Sequence, residues 1–293
     1  MPCDRNSDDS NFLYTNAPGE KRCEMWISAL QDSQFSTKAI MEDQIIDGLS
    51  GSWRIIAIPG AEMLSPQAVA ELKKFAASGG IVLVDRPSVK HFVPDELEVV
   101  KKQIFVDGNG ALASAESFYS PTVPAGTVPG GEVRFDNIYD APAFPAYSLL
   151  ETGKGVICFL NIDLGDFYTI NRSNTLRCFL KHLVTKVLNY TPQNTVSGSR
   201  FADLTVTGKP GEIIINLINM AGEHNVPQVR SYNEVPQIGP LQLKISPALD
   251  IRSVEAVPAA DFELEKSDGK VTGITLKTLH IHTALVCTTR RDA

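Results

Sequence analysis

The segment Arg54–Val84, RIIAIPGAEMLSPQAVAELKKFAASGGIVLV, constrains the fold more than any other part of the chain. It opens on Ile55-Ile56-Ala57-Ile58, an unbroken apolar run that suits a strand buried on both faces. Pro59-Gly60 ends that strand, because proline cannot donate to the ladder and glycine admits the turn. Ser65-Pro66 then supplies a helix N-cap followed by proline at the first helical position, where a missing N–H costs nothing. From Pro66 to Ala77, Val69, Leu72, Phe75 and Ala76 fall at helical spacing, with Glu71, Lys73 and Lys74 turned outward. Gly79-Gly80 closes the helix and Ile81–Val84 is a second buried strand. Strand, helix, strand within 31 residues is a parallel βαβ crossover.

A chain of 293 residues exceeds what one modest core organises and points to two domains. Before the crossover, residues 1–10 are polar and read as disordered or a linker remnant. Asn11–Thr15 reads as a strand, Glu20–Leu30 as a helix with Cys23, Trp26, Ile27 and Leu30 on one stripe, and Ser36–Met41 as a strand. Asp85-Arg86-Pro87-Ser88 reads as a loop at a strand's carboxyl end. Residues 90–145 are rich in Pro and Gly and offer only short strand-like pieces, Gln103–Val106 and Glu132–Phe135, so the span 85–150 has no legible order. Regularity returns at Gly153, with a buried strand at Val156–Leu160 and a helix at Asn174–Leu188. The span 11–192 is therefore expected to be an open, mostly parallel sheet flanked by helices.

Pro192–Arg200 (PQNTVSGSR) has the composition of a linker, and beyond it the period becomes that of strands. Ala202–Thr207, Glu212–Asn219, Leu241–Ile245, Ile251–Ala256, Val271–Leu276 and His280–Thr288 are strand-like, divided by turns such as Lys209-Pro210-Gly211. That spacing implies a small antiparallel β-sandwich over 200–293.

Charge and cysteine usage exclude several roles. A net charge of −7, with no run of Lys and Arg, leaves no surface for tracking nucleic-acid phosphates. No apolar segment has membrane-spanning length and the first residues do not resemble a secretory leader, so a cytoplasmic location is expected. Five scattered cysteines make neither a disulfide framework nor a zinc spacing, so reduced thiols and no cofactor are expected.

The helix at Glu20–Leu30, Glu42-Asp43 after the second strand, IPGAEMLSPQAVAEL and the Gly79-Gly80 before a strand together resemble the β-galactosidase trimerisation domain, an amidotransferase-like, flavodoxin-like module. GKGVICFLNIDLGDFY with the helix at 174–188 is similar to the strand and helix that close that domain. INMAGEH at 218–224, VPQIGPLQLKI at 235–245 and LHIHTALV at 279–286 resemble the C-terminal β-domain of bacterial glycosyl hydrolases. In that family both modules follow a catalytic TIM barrel. The resemblance implies a flavodoxin-like α/β domain followed by a β-sandwich, serving assembly and support of a glycosidase barrel in cis or in trans, as a homo-oligomer. Glycosidases cleave with two carboxylates held at barrel strand ends, and no eight-fold βα pattern exists here. The chain therefore reads as the rear part of a longer enzyme or one product of a split gene.

Four groups of residues are site candidates. Amidotransferases that hydrolyse glutamine place a Cys on a tight turn after a strand, but Ile81–Val84 runs into Asp85-Arg86-Pro87, while Cys158 and Cys23 sit at core positions. A stand-alone amidotransferase-like hydrolase remains the alternative on the strand-end rim, where an open α/β sheet binds its ligand. Asn16, Glu62, Asp85, Arg86 and Asp163 would gather there, although short polar residues at such places also cap helices and satisfy loops. His280 and His282 would share one strand face and could hold a metal with Glu223-His224 nearby, or serve as ordinary outer-face polar residues. Asp163, Asp166 and Tyr168 could pass for a catalytic carboxylate pair, yet acids three apart after a strand form turns and helix caps. Carbohydrate binding by the sandwich would need exposed aromatics, for which Tyr232 and Phe262 are the candidates.

Overall fold

The computed structural model describes residues 2–3, 18–35, 37–48, 53–61, 63–93, 97–107, 112–135, 143–170, 174–192, 194–222 and 235–289. The chain forms two compact units, Met1–Ala29 with Lys38–Tyr190, and Leu30–Thr37 with Thr191–Ala293. The expected strand at 11–15 lies outside the described residues.

In chain order the first unit carries β1 (Pro2–Cys3), α1 (Pro18–Asp32, its last turn counted with the second unit), β2 (Ile40–Met41), α2 (Glu42–Ile46), β3 (Ile55–Ile58), α3 (Pro66–Ala77) and β4 (Ile81–Val84). After these come β5 (Val100–Asp107), β6 (Leu112–Tyr119), β7 (Val128–Gly130), β8 (Val133–Phe135), β9 (Tyr147–Thr152), β10 (Gly155–Leu160), α4 (Leu164–Ile170) and α5 (Asn174–His182). The crossover forms as its residues dictate. The Ser65 hydroxyl accepts from Ala68 N at 3.2 Å, Pro66 opens α3, and Gly79 leaves it at φ +115°. Ala68, Val69, Leu72 and Ala76 face inward against Ile56, Ile58, Val82, Val84, Ile157 and Phe159, which is the core of this unit. Buried Glu42 at the start of α2 accepts from Ser65 N at 3.2 Å and so ties α2 to the cap of α3.

The main sheet has the order β3-β4-β10-β9-β7, with β3, β4 and β10 parallel. The rest of it corrects the expectation of a mostly parallel sheet: β9 runs antiparallel to β10 and β7 antiparallel to β9. The cause is the Gly153-Lys154 turn joining β9 to β10, since a two-residue connection can only return the chain antiparallel. Gly153 takes φ +61° there, and a Cβ on it would lie 2.5 Å from Ala77 O. The span without legible order holds a second, antiparallel sheet, β6-β5-β8, built on the β5–β6 hairpin. Asp85-Arg86-Pro87-Ser88 is ordered as the start of a 3-10 turn over Arg86–His91. The helix expected through Leu188 is α5 continued by a π-helical turn over Leu183–Val187.

The second unit is all-β: β11 (Asn194–Ser197), β12 (Ala202–Lys209), β13 (Glu212–Asn219), β14 (Leu241–Ile245), β15 (Ile251–Val257), β16 (Phe262–Ser267), β17 (Lys270–Leu276) and β18 (His282–Thr289). Two antiparallel four-stranded sheets, β11-β14-β17-β16 and β12-β13-β18-β15, share one core of Val196, Leu204, Ile215, Leu217, Leu243, Ile274, Leu285 and neighbours. The stretch expected to be a linker contributes β11, so Asn194–Ser197 is part of the sandwich. From the first residues of this unit, Gln34 Nε2 donates to Ser199 O at 2.9 Å and Phe35 is buried.

Candidate functional site

In the parallel half of the main sheet, β4 and β10 are neighbours paired from Val156/Ile81 to Phe159/Val84, so the residues that follow them emerge at the same, carboxyl end. Asp85 follows β4 directly and Asp163 follows β10 by three residues. Both are 0% exposed. Burying two carboxylates is costly unless each is given donors. The chain supplies them.

Asp85 accepts four N–H groups. Oδ1 takes Leu164 N at 2.8 Å and Arg86 N at 3.0 Å, and Oδ2 takes Trp26 Nε1 at 2.6 Å and Gly165 N at 3.3 Å. One side chain thereby caps the 3-10 turn after β4, receives the start of α4 and anchors the fully buried indole of α1. Asp163 accepts Asp166 N at 3.0 Å, which makes it a cap of α4, and takes Arg22 Nε from α1 at 3.1 Å. α1 is thus bound to both strand ends by polar contacts one helical turn apart, Arg22 and Trp26. Glycines admit this close approach. A Cβ on Gly165 would stand 3.2 Å from both Arg22 Cβ and Trp26 Cδ1, and one on Gly60 would stand 2.6 Å from Arg22 Cδ.

The surrounding loops are braced from the same side. The Ser88 hydroxyl donates to Pro59 O and accepts Ala61 N at 2.8 Å, tying the loop after β3 to the turn after β4. His91 Nε2 lies 3.1 Å from Ala61 O. Arg86, 7% exposed, has no hydrogen-bond partner for its Nε. Its guanidinium is held within the field of Asp163 and Asp85, while burial lowers its pKa.

Electrostatically the two carboxylates are linked. Asp85 is pushed up to about 7, first by burial and then by the negative charge of Asp163, against the opposing pull of the Trp26, Leu164 and Gly165 donors. Asp163 is also raised, by burial above all, although Arg22 pulls it the other way. With α1 seated over the pair, neither acid faces a substrate as base or nucleophile.

The structure therefore brings Asp85, Arg86 and Asp163 together, as their places after strands indicate. Asn16 and Glu62 lie outside the described residues, as do Glu223, His224 and Tyr232. The residues not anticipated for the site are Arg22, Trp26, Ser88 and Gly165. Trp26 carries a signal that could have revealed it: an indole on a buried stripe needs an acceptor for its N–H, and Asp85 is an acid in need of donors.

The remaining candidates fall elsewhere. Asp166 is half-buried and Tyr168 buried on α4, with Asp163 as the cap of that helix. Cys158 is fully buried in β10 and burial pushes its thiol far up, the opposite of what a nucleophile needs. β18 begins at His282, so His280 lies in the bend before it, and the argument that both share one strand face does not hold. His282 Nε2 meets Asn216 Oδ1 at 3.2 Å, and His280 contributes its carbonyl to Asn219 Nδ2 at 2.5 Å. Among the described residues no group of three or more His, Cys, Asp or Glu side chains could hold a metal ion. Among them also, no helix is long and apolar enough to cross a membrane.

No family model and no curated protein sequence matches the chain. Solved structures do. Alpha-L-fucosidase isoenzyme 2 from Paenibacillus thiaminolyticus aligns with a TM-score of 0.72 at 13% identity, over 94% of this chain and 46% of the fucosidase. A catalytic mutant of Gan42B, a GH42 β-galactosidase from G. stearothermophilus, aligns at 0.57 with 12% identity, over 93% of this chain and 37% of that one. The β-galactosidase from Bacillus circulans sp. alkalophilus aligns at 0.55 with 11% identity, over 91% and 37%. The chain spans less than half the length of these enzymes, and what it shares with them is the fold of both its α/β and its β-rich parts.

Proposed function

We propose that this chain is the non-catalytic accessory and oligomerisation region of a glycoside hydrolase of the β-galactosidase kind, acting in carbohydrate metabolism, with the catalytic TIM barrel absent from this chain. Under this reading the first unit is a flavodoxin-like, amidotransferase-like trimerisation domain and the second its C-terminal β-sandwich. The observation that carries the proposal is the extent of the alignments. More than nine-tenths of this chain, and so most of both units, corresponds to less than half of a glycosidase. The state of the strand ends agrees with it, because acids saturated by donors of their own chain brace a fold rather than attack a substrate. A glycosidase barrel in cis or in trans is the expected partner, further copies of the chain are the expected neighbours, and the cytoplasm is the expected compartment.

The alternative, a stand-alone amidotransferase-like hydrolase or carbohydrate-binding protein using the strand-end rim, lacks a nucleophile at the place where such enzymes carry one. Asp85 occupies it, fully buried. The test is hydrolysis of a panel of aryl glycosides and of glutamine by the purified chain. No turnover is expected of either substrate class. Glycoside turnover that disappears in Asp85→Asn and Asp163→Asn would overturn the accessory assignment, and glutamine turnover would establish the alternative.

A further inference from the structure

The strand ends leave one charged group short of partners. Asp85 has both oxygens filled by four N–H groups, and Asp163 is taken by Arg22 Nε and Asp166 N. Arg86, 7% exposed, lies in the field of both acids, yet among the described residues no acceptor meets its Nε. A guanidinium keeps its charge and presents five N–H donors in a planar fork, so burying one without acceptors is costly. The chain supplies its buried anions with donors and leaves this buried cation short of acceptors. Arg86 is the second residue after β4, and open α/β sheets take ligands in the crevice outside the carboxyl ends of their strands. The walls there are fixed. Ser88 ties Pro59 to Ala61 in the neighbouring loop, and a Cβ on Gly60 would lie 2.6 Å from Arg22 Cδ and 3.0 Å from Pro87 Cγ. The Arg22 side chain, 20% exposed, is a second cation on the same rim.

We propose that Arg86 is the receptor of a small carboxylate ligand, held across two nitrogens of its guanidinium at the carboxyl end of β4. A carboxylate matches the planar fork with two parallel charge-assisted bonds. The neighbouring acids set the class. Asp85 and Asp163 oppose a doubly charged phosphate more strongly than a carboxylate of single charge, while a hydroxyl brings no charge to the cation. Neither acid competes for the fork, because each is already engaged by donors from α1 and from the start of α4. The inference goes beyond the accessory assignment, since holding a ligand on Arg86 requires no catalytic group. Either can fail without the other: the accessory role is read by turnover and assembly, and the receptor by ligand binding alone.

The experiment is titration calorimetry and thermal unfolding of the intact chain with sodium acetate and sodium glucuronate, against chloride and phosphate at matched ionic strength and pH. Saturable heats are expected for the two carboxylates, and the unfolding midpoint of the first unit should climb with the logarithm of their concentration beyond what chloride gives. Arg86→Lys keeps the charge without the fork and should weaken carboxylate binding by about ten-fold or more. Arg86→Gln should abolish it, whereas Arg200→Gln, in the second unit, should leave it unchanged. Wild-type protein that responds to neither carboxylate beyond chloride overturns the proposal without recourse to any variant. Binding that persists undiminished in Arg86→Gln overturns it by placing the ligand elsewhere. Phosphate binding as tight as that of the carboxylates overturns the ligand class and leaves a general anion effect only.

Discussion

At the scale of single residues, the environment of Asp85 shows how a buried acid is made tolerable. Four N–H groups converge on two oxygens, and one comes from an indole whose ring is itself part of the apolar interior. Removing that donor while keeping most of the ring isolates its worth. Trp26→Phe is expected to destabilise the first unit by about 2–3 kcal/mol, from a lost hydrogen bond to a charged group and a smaller buried ring. The urea midpoint should fall at unchanged slope. Ser88 offers a parallel case without charge. Ser88→Ala removes the hydroxyl that bridges Ala61 N and Pro59 O, leaving Ala61 N with Pro59 O alone, and should cost about 0.5–1.5 kcal/mol, read by the same denaturation.

At the scale of elements, the β9–β10 connection decides the character of the sheet. Gly153 sits at φ +61° with no room for a side chain beside Ala77 O. Gly153→Ala must therefore both strain the backbone and push against the end of α3, and a loss of about 1–3 kcal/mol is expected in thermal unfolding of the first unit. The same region marks how far the chain's residues alone reveal its form. The crossover from Ile55 to Val84 is legible because cap, stripe, glycine stop and two apolar runs agree with one another. Tyr147–Thr152 (YSLLET) is not, since its pairing with β10 depends on a two-residue turn and its side chains mix polar and apolar without strict alternation. β11 and β16 escape for different reasons. Asn194–Ser197 buries only Val196 and is a strand by backbone pairing with β14, while Phe262–Ser267 is a solvated edge carrying charges. The site is legible in part: Asp85, Arg86 and Asp163 are placed by the strands they follow. Their burial is not legible, because it depends on a helix some sixty residues upstream of Asp85 closing over them, a tertiary fact that local pattern does not carry.

At the scale of the whole molecule, the accessory reading makes a demand that the fold alone does not. A region whose task is assembly should associate by itself, and closed cyclic symmetry gives a small fixed number of copies. The 31.9 kDa chain is therefore expected to run in solution at a single multiple of that mass, three-fold if the resemblance to the trimerisation domain extends to its geometry. Association contributes to stability by mass action, so the thermal midpoint of the first unit should rise with protein concentration. Light scattering coupled to gel filtration, with melting curves over a hundred-fold range of concentration, reads both quantities on one preparation. A monomer with a concentration-independent midpoint would remove oligomerisation from the proposed role. It would leave support of a glycosidase barrel as the only remaining form of the accessory function. A defined oligomer that still turns over no glycoside would instead locate the missing chemistry in a separate catalytic barrel, and retention of such a barrel on the immobilised oligomer would then identify the partner directly.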